Sequence, residues 1–126
     1  MLLHIDLQSD TPIYTQITEQ IIEGIAKKQL AANEPLPSVR SLAADLGINL
    51  HTVNKAYTIL KQEGYVHIHR QKGVTVSNLP LPPADDLYCE MLRARLRPLV
   101  AEATCRQMDE KAFAEQCKRL FQEFNT

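Results

Sequence analysis

Residues 36 to 65 read LPSVRSLAADLGINLHTVNKAYTILKQEGY, two short apolar rhythms of helical period held apart by a single glycine. Val39, Leu42, Ala43 and Leu46 share one helical face for barely two turns, after Ser38 as a cap. Gly47 then offers the left-handed conformation that ends such a helix. Asn49 is the cap of the next helix, with Ile48 before it and Val53 at the fourth helical position, the placement of a hydrophobic staple. That helix carries Val53, Ala56, Tyr57 and Leu60 as its apolar stripe and stops at Gly64. Opposite the stripe stand His51, Lys55 and Thr58, with Asn54 at its edge. None of these four is needed by a core, so the helix leaves a face of hydrogen-bonding heads uncovered.

The flanking segments say what the pair of helices belongs to. Thr11 and Pro12 predict a capping hydroxyl and a first helical residue, and Ile13, Ile17, Ile21 and Ile25 continue as a stripe, giving a helix from about 12 to 28. AANEPLP cannot continue a helix through two prolines. After Gly64, YVHIHR and GVTVS alternate apolar with polar around Gln71, Lys72 and Gly73, which predicts a two-stranded hairpin. Val66, Ile68, Val74 and Val76 are expected to face inward, and His67, His69, Thr75 and Ser77 outward. Helix, tight turn, helix and hairpin make a winged helix-turn-helix, whose second short helix fits the DNA major groove, about 12 Å wide.

Beyond Ser77 the stretch NLPLPPADD is a stiff connector. A fourth helix is expected from about Ala84 to Gln107, its apolar stripe Leu87, Met91, Leu92, Leu96, Leu99, Val100 and Ala103, kinked at Pro98. A fifth runs from about Glu110 to Phe124 with Phe113, Cys117, Leu120, Phe121 and Phe124 on one side. The fold class is therefore α+β and mainly α: a winged helix-turn-helix domain over 1–78, a proline-rich linker over 79–84 and a two-helix extension over 85–126. Two helices of this length cannot bury both stripes against each other, and so small a unit seldom has an adequate core alone. A homodimer is the simplest closed solution, with Leu92, Leu96, Leu99, Val100, Phe113, Cys117, Leu120 and Phe121 at the contact.

Composition narrows the class. With 44% hydrophobic and 23% charged residues, 126 residues suit one compact domain and a small appendage. No apolar run nears the roughly 18 residues of a membrane span, and the N-terminus lacks a secretory signal, so a cytoplasmic protein without a membrane partner is expected. Net charge is −1, but between 38 and 75 five basic residues oppose Asp45 and Glu63, leaving that segment at +3. Attraction to phosphate follows the presented face, within about 8 to 10 Å, more than the total. Arg40, in the first turn of its helix, can meet a phosphate together with nearby backbone N–H groups.

PIYTQI, LPSVRSLAADLG, TVNKAY and LKQEGY resemble the GntR family of bacterial transcription regulators over about residues 10 to 78, and the short tail resembles its YtrA subfamily. The resemblance implies a double-stranded DNA operator as partner, dimerisation through the tail and repression of the parent operon. It also implies DNA contacts from Arg40, from Asn49, His51, Thr52, Asn54 and Lys55, and from Arg70, Lys72 and Gly73 at the wing. Ser38, Leu50 and Gln71 complete the candidate set. Leu50 stands where relatives often carry Pro or Arg; it cannot donate to guanine but can touch a thymine methyl. Gln71 stands where the wing usually has its first glycine, and a non-glycine residue there resists positive φ.

Rival chemistries have weaker footing. His67 and His69, two apart on a strand, point one way and could hold a metal, but no third and fourth ligand lie nearby in the sequence. Cys89, Cys105 and Cys117 lack paired spacing and fall on or beside apolar stripes, which predicts reduced, buried thiols. No cofactor is expected. No nucleophile elbow, phosphate-binding loop, HExxH or paired-carboxylate pattern points to an enzyme. Use of the third helix as a protein adaptor would call for an exposed aromatic or aliphatic anchor, and only Leu50 is of that kind. A small-molecule effector of unknown identity has little room in so small a tail, since a usual pocket needs about 300 Å³, except at a dimer interface.

Overall fold

The order of elements follows from where prolines, glycines and caps interrupt the apolar stripes. In the computed structural model, which describes residues 3–71 and 73–125, the elements are α1 (Ile13–Ala26), β1 (Pro35–Leu36), α2 (Val39–Leu46), α3 (Leu50–Gln62), β2 (Val66–His69), β3 (Gly73–Val76), α4 (Asp86–Cys105) and α5 (Glu110–Phe124). They divide into two units, Met1–Leu81 and Pro82–Thr126, the division falling inside the proline-rich connector.

In the first unit, Ile17 and Ile21 of α1 meet Val53, Ala56, Tyr57 and Leu60 of α3 in a fully buried centre. Leu42 and Ala43 of α2 close one side, and Leu36, Val66, Val74 and Val76 of the sheet close another. The hairpin pairs Val66 with Val76 and Ile68 with Val74, antiparallel. β1 pairs with β3 through Pro35 opposite Thr75 and Leu36 opposite Val74, so the sheet has three strands in the order β1-β3-β2. This first strand was not expected. The prolines that forbid helix in AANEPLP are tolerated on a sheet edge, where no ladder donor is needed on the open side.

Two local expectations are corrected. Thr11 does not cap α1: Pro12 is the cap residue, so the helix starts one position later than anticipated, and no side chain caps that end. The amide of Gln16 takes the organising role, donating to the carbonyls of Asp6 and Thr11, each at 2.9 Å, and accepting from the Asp6 N–H at 2.8 Å. Gln20, one turn on, exchanges two more bonds with the backbone of His4. The two amides hold the segment before α1 as a neighbouring strand would, and Leu3 and Ile5 pack against the core. Ile68 keeps the inward register, opposite Val74, but is 46% exposed.

In the second unit, Asp85 caps α4 by accepting from Tyr88 N–H, and Asp109 caps α5 by accepting from Ala112 N–H, both at 2.8 Å. α4 runs through Pro98 without ending. Neither helix buries a residue within this chain: Leu87, Met91, Leu92, Leu99, Val100, Leu120 and Phe121 are exposed, and Leu96, Phe113 and Cys117 only half-buried. The expected burial of the thiols is likewise corrected, since Cys89 and Cys105 are exposed. One α-helix can cover only a strip of another, so two stripes this wide leave apolar surface over. An open groove of about 550 Å³ lies between α4 and α5, lined by Val100, Ala103, Met108, Phe113 and Cys117.

Candidate nucleic-acid interface

The turn between α2 and α3 is built from local bonds. Ser38 Oγ accepts from Ser41 N–H at 3.0 Å and starts α2. Gly47, at φ +67, ends it: its N–H donates to Ala44 and the next, from Ile48, to Ala43, satisfying two carbonyls that a helix end leaves open. Asn49 Oδ1 accepts from His51 N–H at 2.7 Å and starts α3 two residues after the glycine. Capping therefore occupies the Asn49 carbonyl oxygen, and its amide NH₂ remains for an outside partner.

Tyr57 sets how α3 meets the segment leading into α2. Its ring lies in the centre of the core, and its O–H donates to the Pro37 carbonyl at 2.8 Å. Burial pushes the phenol well above its ordinary range, so it remains a protonated donor. The bond joins α3 to the residue just before the Ser38 cap, which holds the two helices of the motif in one arrangement.

With the apolar stripe spent on the core, the outer surface of α3 presents His51, Asn54, Lys55 and Thr58, all exposed. The side chains of His51, Asn54 and Thr58 form no hydrogen bond among the described residues. Thr52, half-buried, borders that surface. Leu50, the first residue of α3, is 37% exposed and is its only apolar element at that end. Arg40 is exposed in the first turn of α2 and has no ion pair among the described residues. Lys55 differs from its neighbours. Its ammonium sits 3.9 Å from the centroid of the Tyr14 ring, on α1, an arrangement that no local pattern in the sequence announces.

At the wing, Arg70 and Gln71 are exposed at the hairpin tip, and the left-handed turn residue is Gly73, at φ +75. Lys72 lies outside the described residues. His67 and His69 face outward as expected, with ring centroids 6.1 Å apart, but each Nε2 is engaged by a hydroxyl: His69 with Thr75 Oγ1 and His67 with Ser77 Oγ, both at 3.1 Å. Among the described residues no third metal-ligating side chain joins them. No described helix is long and apolar enough to cross a membrane.

Known proteins share both the sequence and the fold. The model of bacterial regulatory proteins, gntR family, matches residues 13–76. The HTH-type transcriptional repressor YtrA of Bacillus subtilis is 34% identical over 102 residues, 81% of this chain and 78% of that protein. Among solved structures, YtrA from Sulfolobus acidocaldarius, titled a GntR-family transcription factor, is 37% identical with a TM-score of 0.59, covering 98% of this chain and all of that one. A chain titled a transcriptional antiterminator, from Listeria monocytogenes, shares the fold at a TM-score of 0.88 and 23% identity, covering 98% of this chain and 92% of its own. The exposed polar face of α3, its caps and its wing thus sit in a sequence matched by one family model over half its length, and the chain belongs to the GntR family of bacterial regulatory proteins.

Proposed function

We propose that the chain is a transcription repressor of the GntR type, which binds a palindromic operator as a homodimer. The observation that carries the DNA reading is the face of α3, where His51, Asn54 and Thr58 are exposed and without internal hydrogen bonds while the opposite stripe is fully buried. Base edges in the major groove supply the donors and acceptors such a face lacks. Arg40, exposed at the start of α2, suits a phosphate, which positions the helix without reading sequence. Ser38, Asn49, Leu50, Thr52, Lys55, Arg70, Gln71, Lys72 and Gly73 complete the proposed contact surface. Repression is inferred from the name of the Bacillus subtilis relative.

The apolar surface left over on α4 and α5 supports the dimer. Leu92, Leu99, Val100, Leu120 and Phe121 are exposed in the single chain, and Leu96, Phe113 and Cys117 half-exposed. An exposed apolar band of that extent marks an association surface. A twofold axis makes the same band serve both partners and sets two recognition helices about 34 Å apart, one turn of DNA, so the two half-sites are inverted copies.

Selection of bound duplexes from random-sequence DNA by the purified chain tests the reading. An inverted-repeat consensus is expected for the wild type, with altered preferred bases for His51→Ala and Asn54→Ala. One and the same motif from all three proteins would refute the assignment of the reading face.

A further inference from the structure

Of the polar side chains on the outer face of α3, Lys55 alone meets a partner among the described residues, the ring of Tyr14. We propose that Tyr14 is a positioning residue for DNA binding: its ring holds the Lys55 ammonium where α1 and α3 meet, presetting the direction in which the lysine reaches a phosphate. The inference rests on the reading that α3 faces DNA. The attraction has a plain cause. The face of an aromatic ring carries the negative lobes of its quadrupole, and a cation 3.9 Å above the centroid lies well inside the range of about 6 Å over which these lobes act.

Why this matters follows from the chemistry of lysine. Its four-carbon stem has many rotamers, and a phosphate contact made by a free stem loses that freedom at the moment of binding. Tyr14 is fixed as the second residue of α1 and packs, partly buried, against the hydrophobic core. The ring is therefore a stationary platform, and a lysine resting on it is ordered before DNA arrives. The ring occupies one side of the ammonium, whose three N–H donors leave others directed outward for an anion. A lysine suits a phosphate as a compact charge, without demanding the planar geometry that an arginine fork needs. The tyrosine hydroxyl has no part in this, so phenylalanine should serve as well.

The test is a double-mutant cycle in the full chain, read as affinity for a short duplex recovered by selection from random DNA. Tyr14→Leu should weaken binding about two- to fivefold, the effect of losing an exposed cation–π contact. Tyr14→Phe should bind like the wild type, and adding Tyr14→Leu to Lys55→Ala should change nothing further. Independent, multiplicative effects of Tyr14→Leu and Lys55→Ala, or equal losses in Tyr14→Leu and Tyr14→Phe, would overturn the proposal. Should Tyr14→Leu fail to fold, the free wild-type chain decides by NMR: the ε-methylene protons of Lys55 should be shifted upfield by the ring current, and random-coil shifts would overturn the proposal. A wild-type chain that binds no duplex would remove the DNA reading and this role together. A wild-type chain that binds while the two substitutions act independently would remove this role alone.

Discussion

Tyr57→Phe isolates the bond that joins the two helices of the motif. The substitution removes one oxygen and keeps the ring, so the fully buried packing against the core stays as it is. What changes is the Pro37 carbonyl, which loses the donor 2.8 Å away. A carbonyl left without its partner costs about 1 to 3 kcal/mol, and the removal of a small polar group recovers little of it. With a urea m-value of about 2 kcal/mol per molar, the unfolding midpoint should fall by roughly 0.5 to 1.5 M at constant m. Circular dichroism at fixed protein concentration reads this directly, and fixed concentration matters because a dimer is stabilised by mass action.

The same residue carries a pH signature. Burial raises the folded phenol above the unfolded value of about 10, so at alkaline pH the unfolded chain gives up the proton first. Below about pH 10 the stabilisation is fully present, and above it the folded state binds more protons, so stability falls by up to about 1.4 kcal/mol per pH unit as pH rises toward the folded value. Tyr57→Phe should lack this extra slope. An unchanged urea midpoint at neutral pH, or identical alkaline slopes for the two proteins, would refute the reasoning.

Three further outcomes are expected. Arg40→Ala should weaken binding to all duplexes alike and lower the slope of log K against log salt by about 0.9, the share of one neutralised phosphate, as measured by salt titration. Replacing thymines in the selected duplex with uracil, one at a time, should cost the wild type about fourfold at one position per half-site, the value of one buried methyl group, and cost Leu50→Ala nothing there. Phe121→Asp should convert a wild-type dimer, seen by light scattering at micromolar concentration, into a monomer; a wild-type monomer with α4 and α5 intact would contradict the role given to the tail.

Much of the motif could be read from neighbours along the chain. Ser38, Gly47 and Asn49 act on backbone groups no more than four residues away, and the stripes of α1, α2 and α3 follow from helical period alone. Their physics is local, so residue type and spacing suffice. The exposed face of α3 follows by subtraction, as what the buried stripe does not use. The same reasoning located the outward histidines but not the hydroxyls that engage them.

Contacts between distant segments were decided elsewhere. Nothing in AANEPLP specifies that Pro35 and Leu36 will lie beside Thr75 and Val74, because a two-residue strand has no periodicity to detect. Gln16 and Gln20 look like ordinary helix-surface residues until the segment before α1 returns to them across 10 and 16 positions. Thr11 met the local requirements of a cap, yet α1 begins one residue later, with Pro12 at the cap position. The Tyr14 ring under Lys55 and the Tyr57 bond to Pro37 depend on how remote segments pack, and the exposure of Ile68 is not announced by its place in the strand pattern. Caps and stripes are encoded within one or two turns of chain, whereas the positions from which side chains reach one another exist only once the core has closed and brought remote backbone together.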